Sequence, residues 1–284
     1  MSATTREVIE FDDLDPYLLL KNGNYLYKVP FRDGWAVLKV YYGSRGFWDT
    51  LGKSLGNWAE GQTSYFPLTR LANERDCLEL WRKHGFRTFR IYDDVEVRAP
   101  KCPSDGYLLL EYVDAPTLEN YMQDPSVDLE QRFATWRRWL VEWEQRHTVC
   151  EREREPKLMH ENGDPGHVML IDDGFLWFDF EMVFRSRRNV REHLGHEIVQ
   201  YLWMALRHTP PDMHERLIRE TVEHYPNRER MRFAPDVFLN HPRALMRMAR
   251  GIDAKRRKGR KPSSKYALAR RLKDAVEAAD AEGR

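Results

Sequence analysis

The chain has 284 residues, of which 42% are hydrophobic and 32% charged, and its formal net charge at pH 7 is +1. This length and composition predict a soluble globular protein with a sizeable core, built as one two-lobed domain or as two small ones. The low net charge argues against wholesale nucleic-acid binding, and no apolar run reaches the length that spans a bilayer. The polar, acidic start and the three scattered cysteines lead us to expect a cytoplasmic protein with reduced thiols and no secretory or transit segment.

Strands joined by tight turns are the first predicted elements. Residues 17–20, 25–31 and 35–42 are rich in branched and aromatic residues, and an Asn-Gly step and an Asp-Gly step separate them. In the third strand Lys39 lies within an apolar run, where an isolated ammonium is costly to bury. Lys39 therefore needs a partner or an anion.

The turn before the second strand contains Gly23 between Asn22 and Asn24. Backbone amides around this glycine would cradle a phosphate, and a plain hairpin turn explains the same residues equally well. Both interpretations stay open at this point. Residues 43–65, which follow the third strand, are predicted to be an irregular insertion.

The next predicted element is a helix over residues 71–84, ended by Gly85. Glu74 shares one face of this helix with apolar residues, which predicts a carboxylate directed inward. It is the candidate partner for Lys39. The alternative is a structural ion pair on the surface.

Further strands are predicted over residues 90–93, 95–98 and 107–113, the last with the apolar sequence YLLLEYV. A short helix over 117–122 and a long helix over 128–147 follow. The long helix has an apolar face and begins with a pattern that resembles a capping box.

Residues 158–181 read LMHENGDPGHVMLIDDGFLWFDFE and join a polar loop to two apolar runs. The two runs predict a hairpin that turns at the Asp172-Asp173-Gly174 step. Such a hairpin would return Asp179 to the polar candidates of the preceding loop, which are His160, Asn162, Asp164 and His167. Carboxylate, amide and imidazole groups in one cluster suit a divalent metal that holds a phosphate.

These motifs resemble those of the protein-kinase-like superfamily. Asp179-Phe180-Glu181 stands in the place of the metal-binding Asp-Phe-Gly segment, and His160-Glu161-Asn162 stands in the place of His-Arg-Asp. His167 follows Asn162 by five residues, where most members carry a metal-binding Asn. The chain is more similar still to the bacterial lipopolysaccharide core heptose and Kdo kinases, which also place a His there.

The resemblance implies an α+β, two-lobed protein-kinase-like fold. Residues 1–113 would form an N-terminal lobe of antiparallel sheet with one helix, and residues 114–284 a mostly helical C-terminal lobe with a basic C-terminal segment. It also implies a cytoplasmic kinase that binds ATP and Mg²⁺. The positions that it assigns to the cofactors are Lys39 and Glu74 for the nucleotide phosphates, Gly23 in the covering loop, Glu111 and Val113 at the adenine, and Asp179 and His167 at the metal.

The catalytic loop departs from the family pattern. Asn162 occupies the place of the catalytic base, and an amide can orient a hydroxyl but cannot accept its proton as a carboxylate does. Asp164, two residues later, is the candidate substitute, and His160 completes the predicted catalytic set. By the same resemblance, Glu197 would hold this loop from beneath by accepting backbone N–H bonds. The alternative is an exposed glutamate on a helix.

Three functions are consistent with these observations. The first is an ATP-dependent phosphotransferase that acts on a hydroxyl of a sugar, glycolipid or other small molecule. The second is a pseudokinase that binds nucleotide or acts as a scaffold, without efficient phosphotransfer. The third, a metal-dependent hydrolase, would leave Lys39 and Glu74 without a role.

The end of the chain concentrates positive charge between Lys255 and Lys273. This segment is either a solvated terminal helix or a patch for an anionic partner such as lipid headgroups, a phosphorylated glycan or nucleic acid. The resemblance favours an anionic acceptor or the inner face of the membrane, with no clear nucleic-acid partner.

Overall fold

The computed structural model describes residues 6–21, 23–41, 47–59, 61–172, 174–255 and 261–283. The chain divides into two compact units. The first unit comprises Met1–Asp114 and Phe178–Arg185, and the second unit comprises Ala115–Trp177 and Ser186–Arg284.

The first unit is built on an antiparallel sheet. The strands of this unit are β1 (Glu7–Glu10), β2 (Leu18–Lys21), β3 (Tyr25–Phe31), β4 (Gly34–Val40), β5 (Arg87–Thr88), β6 (Val95–Arg98) and β7 (Tyr107–Glu111). Strands β2, β3, β4 and β7 lie side by side in that order, and β1 pairs with β6 in parallel. Alternate side chains of β3 and β4, such as Val29 and Leu38, are buried in one core, as the two-residue period of a strand requires.

Two helices accompany this sheet, α1 (Phe47–Ala59) and α2 (Pro67–Lys83). Helix α2 begins with a proline, which suits the first turn because its missing N–H would have no helical acceptor there. It buries a mixed face that contains Arg70, Glu74 and Trp81.

Helix α1 corrects the sequence prediction, because it occupies most of the segment expected to be irregular. It buries the polar Thr50 and Ser54, each 7% exposed, and leaves Trp48 and Leu55 exposed. Its glycine and serine residues are weak helix formers, which explains why the segment was expected to be irregular. The first unit therefore has a second helix in addition to the one expected. Residues 42–46 lie outside the described part of the chain.

The second unit is mostly helical. It contains α3 (Leu118–Gln123), α4 (Leu129–Glu153), β8 (Val168–Ile171), β9 (Gly174–Trp177), α5 (Val190–His208), α6 (His214–His224), α7 (Arg228–Phe233), α8 (Asp236–Leu239), α9 (Ala244–Lys255) and α10 (Lys265–Ala281). Strands β8 and β9 form the predicted hairpin, in which Ile171 pairs with Gly174, and Asp173 of its predicted turn lies outside the described residues. The rings of Trp139 and Trp143 on α4 are stacked on each other, and both contact the Tyr201 ring on α5 at tilted or edge-on angles.

The predicted fold class is confirmed: the chain is α+β, with an antiparallel sheet in its N-terminal part and a mostly helical C-terminal part. None of the helices in the described residues is long and apolar enough to cross a membrane.

Candidate functional site

A buried lysine surrounded by carboxylates is the main polar feature of the first unit. The ammonium Nζ of Lys39, on β4, lies 2.6 Å from Glu74 Oε2, 2.9 Å from Asp179 Oδ1 and 2.8 Å from Glu181 Oε1. Lys39 is 5% exposed and Glu74 is 2% exposed, so their ion pair is not a surface pair. We call Lys39 and its three carboxylates the Lys39 cluster.

The electrostatics of the cluster follow from burial and the excess of acid. Burial alone would lower the pKa of Lys39, but the carboxylates of Asp179, Glu181 and Glu74 outweigh it and hold that pKa well above its usual value. Burial raises the pKa of the Glu74 carboxyl, and Lys39 opposes that shift. Glu74 also accepts a hydrogen bond from the Tyr41 hydroxyl, which fixes the carboxylate in place.

Asp179 adopts an unusual backbone conformation, with φ of +71°. Aspartate tolerates this left-handed region better than most residues, but it is uncommon and occurs often at functional sites. The next residue, Phe180, is buried against Trp81 of α2, with ring centroids 4.3 Å apart. This packing anchors the backbone beside Asp179, whose side chain is 32% exposed.

Three residues whose side chains received no role in the sequence analysis complete this region: Asn24, Arg70 and Glu181. Arg70 Nη1 lies 2.8 Å from Glu181 Oε2, and Arg70 Nη2 donates to Gly23 O at 3.0 Å. Asn24 is hydrogen-bonded to both Arg70 and Glu181. Arg70 precedes Glu74 by one helical turn, and that spacing was a usable signal, because residues four apart share a helix face.

The remaining cofactor candidates of the first unit lie at strand ends. Gly23, in the turn between β2 and β3, has φ of +80°, a conformation that favours glycine; Asn22 lies outside the described residues. Glu111 ends β7, and its backbone N–H donates to Arg90 O at 2.9 Å. Val113 lies two residues beyond the strand and is half-buried. The adenine contacts assigned to Glu111 and Val113 stay a prediction.

The donor set of the Lys39 cluster fits a hard divalent cation. Oxygen atoms of Glu74, Asp179 and Glu181 lie within 4.8 Å of one another, and carboxylate oxygens are the ligands that Mg²⁺ prefers. Glu74 is buried against Lys39 and Tyr41, and both carboxylate oxygens of Glu181 are already engaged. Asp179 is therefore the carboxylate best placed to take a metal.

In the second unit, the polar loop that contains His160 is held from beneath. The His160 N–H donates to Glu197 Oε2 at 3.2 Å, and His160 Nδ1 lies 2.7 Å from the Tyr201 hydroxyl. A Cβ on Gly163 would collide with the Tyr201 ring, so only glycine lets the loop approach α5 this closely. Glu197 is fully buried, and the alternative of an exposed glutamate is wrong.

A buried ion pair supports that loop. Arg146 of α4 and Glu197 of α5 are both 0% exposed and paired side by side, and Arg146 Nη1 also donates to Leu158 O at 2.7 Å. Burial would raise the pKa of Glu197, but Arg146 and His147 hold it well below the usual value. Burial lowers the pKa of His147 to about 3. The pair thus holds the backbone on both sides of Met159.

The other loop candidates are more open. Asn162 is exposed, whereas Asp164 and His167 are half-buried. Asp164 Oδ1 accepts the Gly166 N–H at 2.8 Å, and the His160 and His167 rings lie 5.5 Å apart. Oxygen or nitrogen atoms of Glu119, Asp164 and His208 lie within 4.8 Å of one another, although neither Glu119 nor His208 was predicted.

The structure thus gathers the predicted site residues into two sets. Lys39, Glu74 and Asp179 belong to the first unit, and the loop with His160, Asn162, Asp164 and His167 belongs to the second. The expected approach of Asp179 to that loop, with Asp179 and His167 as joint metal ligands, stays a prediction.

Comparison with known proteins finds similarities among solved structures. No protein-family model and no curated protein matches the chain. A solved structure, "WaaP in complex with acyl carrier protein", is similar over 83% of this chain and 87% of that chain, with 16% identity and a TM-score of 0.37. WaaP is a lipopolysaccharide core heptose kinase, the family that the sequence motifs resemble. At this identity and TM-score the similarity assigns no residue role, substrate or partner.

Proposed function

We propose that the chain is an ATP-dependent phosphotransferase that phosphorylates a hydroxyl of a sugar, a glycolipid or another small molecule. The observation that carries the proposal is the Lys39 cluster, in which one buried ammonium contacts three carboxylates at 2.6–2.9 Å. A structural ion pair needs one carboxylate to neutralise a lysine. Lys39 contacts more carboxylates than it needs for neutralisation. One of them can therefore give way to a phosphate oxygen when nucleotide binds.

Lys39, Asp179 and Glu74 each have a role in that proposal. An ammonium has three N–H donors, so a phosphate oxygen would replace one of the present acceptors of Lys39. Asp179 is the most exposed of the three acceptors at 32%, which supports Asp179 as the one that turns away. Glu74, buried and held by Tyr41, would keep Lys39 in place throughout.

The proposed cofactors are ATP and Mg²⁺, with Asp179 and, by the family resemblance, His167 as metal ligands. Bound magnesium would neutralise charge on the phosphate oxygens, which is what phosphoryl transfer chiefly requires of its site. Gly23 would cover the phosphates, and the backbone at Glu111 and Val113 would hold the adenine. These roles are carried over from the resemblance to the heptose kinases.

Substitution of the metal ligand tests the function. Asp179→Asn is expected to abolish magnesium-dependent ATP binding and any ATP turnover, because an amide is a poor ligand for a hard cation. The fold should persist, since the cluster keeps two carboxylates for Lys39. Calorimetric titration with ATP, with and without magnesium, measures the effect, and Asp172→Asn, an exposed aspartate, is the control. Equal ATP affinity in Asp179→Asn and the unaltered protein would refute the metal assignment.

Asp164 is proposed as the substitute for the missing catalytic base. Its carboxylate is fixed by the Gly166 N–H, while Asn162 would at most orient the acceptor hydroxyl. Since general-base catalysis contributes about 10²–10⁴-fold, Asp164→Ala should lower turnover by roughly that factor and Asn162→Ala by much less. Steady-state rates of ATP hydrolysis or acceptor phosphorylation decide this, and equal small effects would remove Asp164 from the mechanism.

A pseudokinase is the second candidate, and the residue that favours it is Asn162. With an amide in the base position the site would retain nucleotide without efficient transfer. Magnesium-dependent ATP binding combined with no turnover, across sugar and glycolipid acceptors, would support this alternative over the phosphotransferase.

We also propose that the protein acts at the cytoplasmic face of a membrane, through its basic C-terminal segment. Two exposed apolar side chains of α9, Met248 and Ile252, are 61% and 53% exposed and precede the basic run. Part of the basic charge is used internally, since Arg271 pairs with Glu215 and Lys273 with Asp236. Residues 256–260 lie outside the described part of the chain. Cosedimentation with anionic vesicles tests this attachment, with neutral vesicles as the control.

A further inference from the structure

The turn between β2 and β3 is fastened by side chains from two other parts of the first unit. Arg70 Nη2 donates to Gly23 O at 3.0 Å and is hydrogen-bonded to the Asn24 side chain, and Arg70 Nη1 lies 2.8 Å from Glu181 Oε2. Asn24 in turn donates its amide to Glu181 Oε1. The result is a closed ring of contacts among Asn24, Arg70 and Glu181, which we call the clamp.

The clamp is buried and depends on tertiary structure. Asn24 and Arg70 are each 2% exposed, and the Glu181 side chain is 14% exposed. Charge-assisted hydrogen bonds in such surroundings are stronger and geometrically better defined than those at a surface. Arg70 is further fixed by the Tyr65 ring, whose centroid lies 4.5 Å from Arg70 Cζ. Gly23 and Asn24 are therefore held by buried contacts.

The clamp also determines how the Gly23–Asn24 peptide is oriented. Its carbonyl is directed at Arg70, and in a planar trans peptide the N–H of the next residue points the opposite way. The Asn24 N–H is therefore directed away from the guanidinium. Backbone N–H groups fixed in this manner are phosphate donors in many nucleotide sites.

The clamp and the Lys39 cluster share one residue. Glu181 Oε1 contacts both the Asn24 amide and the Lys39 ammonium, the latter at 2.8 Å. The position of the turn is therefore linked to the lysine that would bind phosphate. This segment contains a single glycine where a phosphate-covering loop of backbone amides would use several, so its shape has to be imposed from outside.

We propose that Asn24, Arg70 and Glu181 are positioning residues that take the place of a glycine-rich loop, holding the Gly23–Asn24 peptide toward the nucleotide phosphates. The role in nucleotide binding rests on the proposed function. The clamp as a constraint on the turn does not, so the two parts can fail separately.

Two readouts test the two parts. Hydrogen–deuterium exchange at the amides of residues 23–25, without nucleotide, reports whether the turn is held. Calorimetric titration with ATP, in magnesium and in chelator, reports whether holding it aids binding. Arg70→Met removes the clamp, Arg70→Lys keeps the charge, and Arg75→Met is the matched control, since Arg75 lies on the same helix and pairs with Asp93 at the surface.

Arg70→Met is expected to speed exchange in the turn and to weaken ATP binding about tenfold or more, with and without magnesium, because the turn loses its preorganisation. Arg70→Lys should recover part of the affinity, and Arg75→Met should change neither readout. Asn24→Ala serves if Arg70→Met does not fold, since it leaves the Arg70–Glu181 pair intact and should give the same changes to a smaller extent.

Three results would overturn the proposal. Unchanged exchange in Arg70→Met and Asn24→Ala would show that the turn is not held by the clamp. Faster exchange with unchanged ATP affinity would show that the clamp is structural only. A loss of ATP affinity in Glu181→Gln confined to the magnesium titration would make Glu181 a metal ligand instead. If the unaltered protein binds no ATP at all, the proposed function fails and the nucleotide role with it, while the exchange data still decide whether the clamp exists.

Discussion

In the first unit one ammonium, that of Lys39, faces three carboxylates, and two of them are partly exposed: Asp179 at 32% and Glu181 at 14%. In the second unit one guanidinium, that of Arg146, faces the single carboxylate of Glu197, and both side chains are 0% exposed. The first arrangement has more acid than its lysine needs. The second is balanced.

The difference separates a site that can exchange partners from one that cannot. Arg146 donates to Leu158 O, and Glu197 accepts from the His160 N–H. These hydrogen bonds hold the backbone of the polar loop. A fully buried ion pair stays intact, because separating it leaves an uncompensated charge. Under the proposed function, Lys39 would instead replace a partly exposed carboxylate by a phosphate. The contrast supports the proposal that the first unit binds the ligand, whereas the Arg146–Glu197 pair holds the polar loop.

The largest expected effect on stability comes from breaking the balanced pair. Arg146→Met would leave Glu197 buried without its cation, and the free energy of unfolding should fall by about 3–5 kcal/mol. Urea denaturation measures this loss. Arg137→Met is the matched control. Arg137 lies on the same helix and pairs with Glu220, but its side chain is 35% exposed. A loss in Arg146→Met no larger than that in Arg137→Met would contradict the assigned role of the pair.

The effect expected on acidification is smaller for each histidine that titrates. Burial lowers the pKa of His147 to about 3 and those of His193 and His241 to about 4, from an ordinary value of 6.5. The unfolded chain therefore binds these protons more tightly, and the unfolding free energy should decrease as pH falls below about 6.5, by up to about 1.4 kcal/mol per pH unit for each histidine. Urea midpoints between pH 7 and pH 5 record the slope.

His147→Gln isolates one contributor to that slope. His147 Nδ1 lies 2.7 Å from the Tyr225 hydroxyl and Nε2 faces Glu197 and Arg146, contacts that a glutamine amide can partly replace. The variant should lose less stability between pH 7 and pH 5 than the unaltered protein does. An identical slope would mean that His147 does not become charged on unfolding in this range.

Much of the first unit could be predicted because its signals are local. Alternation within β3 and β4, with turn residues between them, defines the hairpin, and the helix spacing of Glu74 with its apolar neighbours defines the buried face of α2. These patterns made Glu74 a candidate partner for Lys39, and the resemblance to the kinase-like superfamily implied the pair. The hairpin of β8 and β9 was predicted in the same way.

The residues that escaped prediction depend on contacts distant in sequence. Glu181 lies 111 positions from Arg70 and 157 from Asn24, so no local pattern brings them together. Arg146 was not selected for another reason. It lies on the apolar face of a long helix, where a single charged residue interrupts the apolar pattern and suggests no buried role. Helix α1 was missed because its glycine and serine residues are weak helix formers.

The most direct test of the central claim, that the Lys39 cluster binds nucleotide phosphates, is calorimetric titration of Lys39→Met with magnesium and ATP. Lys28→Met is the control, since Lys28 lies on the neighbouring strand β3 and contacts the Tyr112 ring instead of carboxylates. We predict that Lys39→Met unfolds cooperatively yet binds ATP at least about tenfold more weakly, with Lys28→Met unaffected. Unchanged ATP affinity in Lys39→Met would contradict the claim.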